Sequence, residues 1–179
     1  SVPYGGKGGF FHGGEVTVTL DGALLSKSLD GFGVMFNFSD VTSGLRDKSG
    51  NEFKPEGLSR NSTNLTVYYE RNGFSARISQ RQRSPFTATY RNVVFQNVTT
   101  TINSDDVVDA QIGYAIEHGS FKGLSFLLQV NNLTDSATQQ MQSINRLAGD
   151  NPTPNPSQLV TKYVNRFGRQ VLFGLNYKF

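Results

Sequence analysis

Residues 170–179 read QVLFGLNYKF. Val171, Phe173, Leu175, Tyr177 and Phe179 take every second position; Gln170, Asn176 and Lys178 lie between them, with Gly174 and one apolar exception, Leu172. Side chains of an extended strand point alternately to opposite faces. One face of this strand is therefore apolar and aromatic, and the other mostly polar. An edge strand of a water-exposed sheet more often carries a charged tail, so the meaning of this strand rests on its neighbours.

Back along the chain the same period of two recurs, while helical periodicity is nearly absent. GEVTVTLDGALL (14–25) sets Val16, Val18 and Leu20 against Glu15, Thr17, Thr19 and Asp21. FGVMFNFSDV (32–41) alternates Phe32, Val34, Phe36 and Phe38 with Gly33, Met35, Asn37 and Ser39. NLTVYYER (64–71) and FSARISQRQR (74–83) flank Asn72-Gly73, a strong hairpin signal. VVDAQIGYAI (107–116) and LSFLLQVNNL (124–133) complete a set of seven predicted strands.

The connections alternate too. Residues 26–31, 72–73 and 117–123 are short turns; Thr42 to Arg60, Ser84 to Asp106 and Thr134 to Val160 are expected as long polar loops, the last containing three prolines in NPTPNPS (151–157). Strands of about 9–12 residues suit a tilted crossing of ~30 Å of hydrocarbon, and short turns on one side with long loops on the other is the outer-membrane barrel pattern. Arg77, Arg81, Arg83, Asp109 and Glu15 fall on the polar faces. In a dry sandwich interior each would need a partner, at several kcal/mol if unpaired as an order of magnitude; against a water-filled lumen none does. The alternative is an antiparallel sheet with its polar face in solvent. Single-chain bacterial barrels have an even strand number with both termini periplasmic, so seven strands are expected to be the C-terminal part of a larger barrel occupying residues 1–179, with an odd number of strands upstream.

Composition narrows the classes. Hydrophobic residues make up 36% of the 179 residues, and there are 14 Phe, 7 Tyr and no Cys. No disulfide scaffold or thiolate metal site is available. The net charge of +3 is dispersed, with no basic run for nucleic acid. No run approaches the ~18 apolar residues of a membrane helix.

In order and spacing, GGEVTVTL (13–20), LDGFGVMFNFSDVTS (29–43), NLTVYYERNGFSARISQRQRS (64–84), VDAQIGYAI (108–116), LLQVNNLTD (127–135) and FGRQVLFGLNYKF (167–179) resemble the C-terminal end of a TonB-dependent outer-membrane receptor. The resemblance covers nearly the whole chain from about Gly13. It implies an all-β fold of antiparallel transmembrane β-barrel strands, part of a barrel of roughly 22 strands, in the bacterial outer membrane. It implies active uptake of a scarce nutrient (a carbohydrate, a siderophore or similar) powered by a TonB-type energy-coupling protein. The family's plug domain and TonB-contacting segment have no counterpart in the sequence. The terminal strand, through Phe173, Leu175, Tyr177 and Phe179, resembles the signal read by the barrel-assembly machinery; Tyr177 and Phe179 also fit an interfacial aromatic girdle. A passive porin-like channel and a soluble β-sandwich binding module are the alternatives.

The chemistry expected is binding, without catalysis, metal or cofactor. His12 and His118 are placed in loops or turns, and His12 near Glu15 makes only two ligands. Arg77, Arg81, Arg83, Asp109 and Gln111 are candidates for the lumen wall, contacting the plug or an anionic solute, or simply paired with carboxylates such as Asp109 and Glu70. Tyr90, Asn92, Phe95, Gln96, Gln139 and Gln142, amides and aromatics in long loops, are candidate contacts for an extracellular oligosaccharide or other small molecule. The Asn-x-Ser/Thr triplets at Asn61, Asn64, Asn97 and Asn132 are expected to be chance matches.

Overall fold

The computed structural model describes residues 8–47, 49–91, 97–103, 105–143 and 159–178. Its strands, in chain order, are β1 (Gly8–Asp21), β2 (Phe32–Arg46), β3 (Glu52–Phe53), β4 (Asn61–Arg71), β5 (Phe74–Arg83), β6 (Phe86–Arg91), β7 (Asn97–Ile102), β8 (Asp105–Ala115), β9 (Leu124–Asn131), β10 (Ala137–Ser143), β11 (Leu159–Arg166) and β12 (Gln170–Tyr177). The protein is all-β and antiparallel. The main sheet runs β1-β2-β4-β5-β8-β9-β12, with the short β3 beside β2. These seven long strands are the ones the alternation predicts. The sheet does not close: among the described residues, β1 and β12 each pair on one side only.

The register carries the alternation across the whole sheet. One continuous row, Leu20-Val34-Val67-Ile78-Ala110-Val130-Val171, crosses all seven strands and is apolar throughout. The next row toward the short turns is Phe32-Tyr69-Ala76-Ile112-Leu128-Phe173. On the opposite face the rows are polar: Thr17-Asn37-Asn64-Arg81 and Tyr68-Arg77-Gln111-Gln129.

Nothing in the described chain covers the apolar face. Val16, Phe32, Ile78, Ile112, Leu128 and Phe173 remain 44–70% exposed, and no hydrophobic residue is buried among the described residues. The accessible surface is 13328 Å², against roughly 8,600 Å² for a compact protein of this mass. A sandwich requires the apolar faces to pack on each other, and here they do not.

The apolar band is also oblique. On β1 it is centred on Val18, whose row extrapolates to residue 169 on β12, yet β12's own apolar run, Val171 to Tyr177, is centred on Gly174. The band thus shifts by about five residues over six strand steps; at ~3.3 Å per residue and ~4.8 Å per step, the strands tilt about 30° from the normal to the band.

At the short-turn end, Asp21 Oδ1 accepts from Ala23 N at 2.9 Å, opening a pair of 3₁₀ turns (Gly22–Leu24 and Lys27–Leu29) between β1 and β2. β4 and β5 join through Asn72 (φ 51°) and Gly73 (φ 78°), the doubly left-handed turn that an Asn-Gly pair favours. One device recurs in all three turns. A glycine carbonyl accepts from the backbone of the next hairpin: Gly31 O from Glu70 N at 2.8 Å, Gly73 O from Ala115 N at 2.8 Å, and Gly123 O from Lys178 N at 2.9 Å.

The opposite end departs from expectation. The stretches Ser84 to Asp106 and Thr134 to Val160, expected as long loops, contain β6, β7, β10 and the first two residues of β11, and these four strands form a second sheet of order β11-β10-β7-β6. That order repeats β12-β9-β8-β5, and each strand is the chain continuation of its counterpart. Four adjacent strands therefore bend and carry on. Thr42 to Arg60 is likewise shortened, because β2 runs on to Arg46 and β3 pairs with it. The extension strands, such as NVTTTI and ATQQMQS, lack apolar alternation, so they gave no periodic signal. The proline-rich 151–157 lies outside the described residues.

Asn132 organises one bend. It holds φ 53°. Its Nδ2 donates to Ser136 O and Gly168 O, both at 3.1 Å, and its Oδ1 accepts from Ser136 N at 2.8 Å. A single side chain thus fixes the β9–β10 and β11–β12 connections together, which gives this Asn-Leu-Thr triplet a structural role.

Candidate functional site

The parity of β5 sends Arg77, Arg81 and Arg83 to the polar face, and the β5–β8 register brings Gln111 opposite Arg77 and Asp109 opposite Ser79 on the same face. The structure thus gathers all five predicted wall residues on one surface. It also separates their roles.

Arg83 is structural. Its Nε donates to Ser59 Oγ at 2.6 Å and its Nη2 to Gly57 O at 2.7 Å, and its guanidinium lies 4.1 Å from the Phe86 ring centroid. It clamps the β2–β4 connection onto the start of β6. Asp109 is also committed locally: its Oδ1 accepts from Asn132 N at 2.9 Å. It does not pair with the arginines. Arg77 sits 3.9 Å from Glu70 Oε1, with both side chains more than half exposed; such a pair contributes about 0–1 kcal/mol. The side chains of Arg81 and Gln111 form no hydrogen bond or ion pair to another described residue and stay available to a solute or a facing protein element. Beside them Asn37 donates to Glu15 Oε1 at 2.6 Å and to Thr17 Oγ1 at 2.9 Å, extending a hydrogen-bonding polar wall toward β1.

The predicted loop contacts are not in loops. Tyr90 is in β6 opposite Val98, and Gln139 and Gln142 are in β10 opposite Val164 and Val160. Gln142 also pairs across to Thr100 of β7, so the second sheet brings these strands together by backbone pairing. Gln139 is partly committed, since its Oε1 accepts from Asn103 Nδ2 at 3.5 Å and its main-chain carbonyl from Asn103 N at 2.9 Å. Asn92, Phe95 and Gln96 lie outside the described residues. Of the terminal group, Phe173, Leu175 and Tyr177 line the apolar face opposite Leu128, Phe126 and Leu124; Phe179 lies outside the described residues.

His12, expected in a loop, is inside β1 and stacks on Phe10 with ring centroids 5.2 Å apart. His118 is in the β8–β9 connection. Among the described residues no three His, Cys, Asp or Glu side chains converge as metal ligands.

An aromatic edge marks the short-turn end of the apolar face: Phe32 and Tyr69 are 4.5 Å apart, and Tyr69 and Phe74 6.1 Å. The other end of that face turns polar, with Gln80 Nε2 donating to Asp106 Oδ1 at 2.8 Å and Arg60 paired to Asp40 at 3.2 Å.

Beyond this boundary, the turn after β2 is pinned by Asp47. Hydrogen bonds from the Asn51 backbone and side chain, at 2.8 and 3.1 Å, hold its carboxyl below the ordinary carboxylate value. A depressed folded-state pKa contributes order above the unfolded value and loses it as pH falls through the folded value. The protection of the Asn51 amide against exchange, relative to the free-peptide rate at the same pH, is expected to fall below about pH 4 and to be lost at every pH in Asp47→Ala.

Sequence reasoning missed Lys54, Leu58 and Arg60, which meet β2 and β6 around a cavity of about 180 Å³. No periodicity marks them, because a connecting segment places them. No protein family, curated protein or solved structure matches this chain.

Proposed function

We propose that this chain forms part of the wall of an outer-membrane β-barrel transporter. The observation that carries the reading is the uncovered apolar band that spans seven strands, has those strands tilted about 30° from its normal, and is edged with aromatic rings at one end. A tilt of ~35–45°, an apolar outer band, aromatic girdles and a polar interior are what a lipid-facing barrel wall requires. In water the same band would be a very large aggregation surface.

The two edges support an incomplete wall. β1 and β12 both run from the bent end toward the short turns, so antiparallel closure takes an odd number of further strands. Copies of this sheet with their bent ends on the same side of the membrane would meet through a parallel seam, so other strands are the better partners. Arg81 and Gln111 face the lumen in this reading, toward solute or a plug. Energy coupling through a TonB-type protein, uptake of a nutrient such as a carbohydrate or siderophore, and delivery by the barrel-assembly machinery rest on the sequence resemblance.

The absence of native cysteine makes the test direct. Single cysteines at Val130, Leu128 and Phe126 carry an environment-sensitive probe in membranes and are quenched by lipid-borne quenchers. Cysteines at Gln129, Gln111 and Ser79 react with a membrane-impermeant thiol reagent instead. Labelling that shows no alternation between neighbouring positions would overturn the proposal.

A further inference from the structure

The cavity noted above opens between the end of β2, residues 54–60 and the first residues of β6. Its wall is fixed by main-chain bonds, with Gly57 N donating to Thr87 O at 2.9 Å and Val41 N to Arg60 O at 2.8 Å. Arg83 adds the bonds to Ser59 and Gly57 already described. A pocket held this way binds without first ordering its own loop, which lowers the cost of binding.

The lining has a definite chemistry. Val41, Leu58, Pro85 and Phe86 supply apolar surface. Thr42, Ser43 and Thr87 also line it; Ser43 shares the β2 face of Val41 while Thr42 is on the opposite one, and the Ser43 and Thr87 hydroxyls hydrogen-bond no other described side chain. Lys54 makes no ion pair with a described residue, whereas Arg60 shares its charge with Asp40 at 3.2 Å. The site therefore offers one uncommitted ammonium, two uncommitted hydroxyls and an apolar floor. Its volume of about 180 Å³ holds roughly six waters at ~30 Å³ each, the room one sugar ring needs and less than a drug-sized pocket.

We propose that this cavity binds a single acidic sugar ring, a hexuronate, with Lys54 receiving the carboxylate and Ser43 and Thr87 the ring hydroxyls. One free cation selects a monoanion over a phosphate dianion. The CH face of the ring lies on the apolar floor. This names a substrate class for the transporter proposed above and rests on that reading for its biological sense.

The test is calorimetric titration of the detergent-purified full-length protein with glucuronate, using glucose as the neutral comparison. Glucuronate is expected to bind saturably and at least about tenfold more tightly than glucose, the contribution of a charge-assisted contact. Lys54→Gln removes that advantage, and Lys54→Arg keeps most of it. Equal affinity for the two sugars, unaltered glucuronate binding in Lys54→Gln, or no saturable glucuronate binding overturns the assignment. Membrane integration without glucuronate binding overturns the cavity assignment alone. Lys54-dependent binding by a protein whose Leu128 face is not in lipid overturns the transport reading alone.

Discussion

Leu128→Arg is expected to abolish membrane integration, and Gln129→Arg, one residue along, to leave it intact. Leu128 lies within the apolar face, paired with Ile112 on one side and Phe173 on the other, and it is 44% exposed. An arginine at mid-depth on a lipid-facing strand costs ~2–4 kcal/mol. Gln129 points to the polar face, where its Nε2 donates to Asn131 Oδ1 at 2.7 Å. An arginine there meets water and loses only that bond. If the apolar face were in water, a charge at a half-exposed Leu128 would be a surface change within about 0.5 kcal/mol. The readout is recovery in the outer-membrane fraction together with the heat-dependent gel shift of folded barrels. Equal behaviour of the two variants removes the argument from alternation.

The second large effect is expected at the turns. Gly73→Ala destabilises the protein markedly more than Gly119→Ala. Both glycines have left-handed φ, 78° and 82°, so both substitutions incur about 1–2 kcal/mol of backbone strain. They differ in surroundings. A Cβ on Gly73 would come within 2.2 Å of Ala115 O, whereas nothing lies within 4 Å of one on Gly119. Ala115 also donates its N–H to Gly73 O at 2.8 Å, so the added methyl pushes apart two hairpins that are bonded at that point. Urea midpoints of the two variants separate the close approach from the strain. Equal losses would show that the turn yields to the side chain and that the inter-hairpin contact does not constrain it.

What the sequence revealed divides along physical lines. The seven long strands were legible because each buries or exposes a whole face, and that demand writes a period of two into residues such as Val16-Val18-Leu20 and Leu124-Phe126-Leu128-Val130. The extensions were not. In β7 and β10 both faces are polar or mixed, as in Thr99-Thr100-Thr101 and Gln139-Gln140, and what places those strands is pairing with a partner about 40 residues away. The arginine ladder was legible by the same parity, yet its division of labour was not. Arg83 is committed through Ser59, Gly57 and Phe86, residues that no periodicity links to it. The cavity beside Lys54 was invisible for the same reason, being assembled from four separate segments.

The glycine carbonyls at the three short turns bear on how the sheet forms. Each turn is completed only when the following hairpin supplies its donor, Glu70, Ala115 or Lys178. Neighbouring hairpins are therefore coupled in sequence, each offering an acceptor to the next, while the strand pairs within hairpins stay close in sequence. Growth of this kind keeps loop-closure entropy low at every step. It makes the sheet a directional zipper, in which a fault at one turn weakens both hairpins that meet there and leaves more distant ones to form on their own.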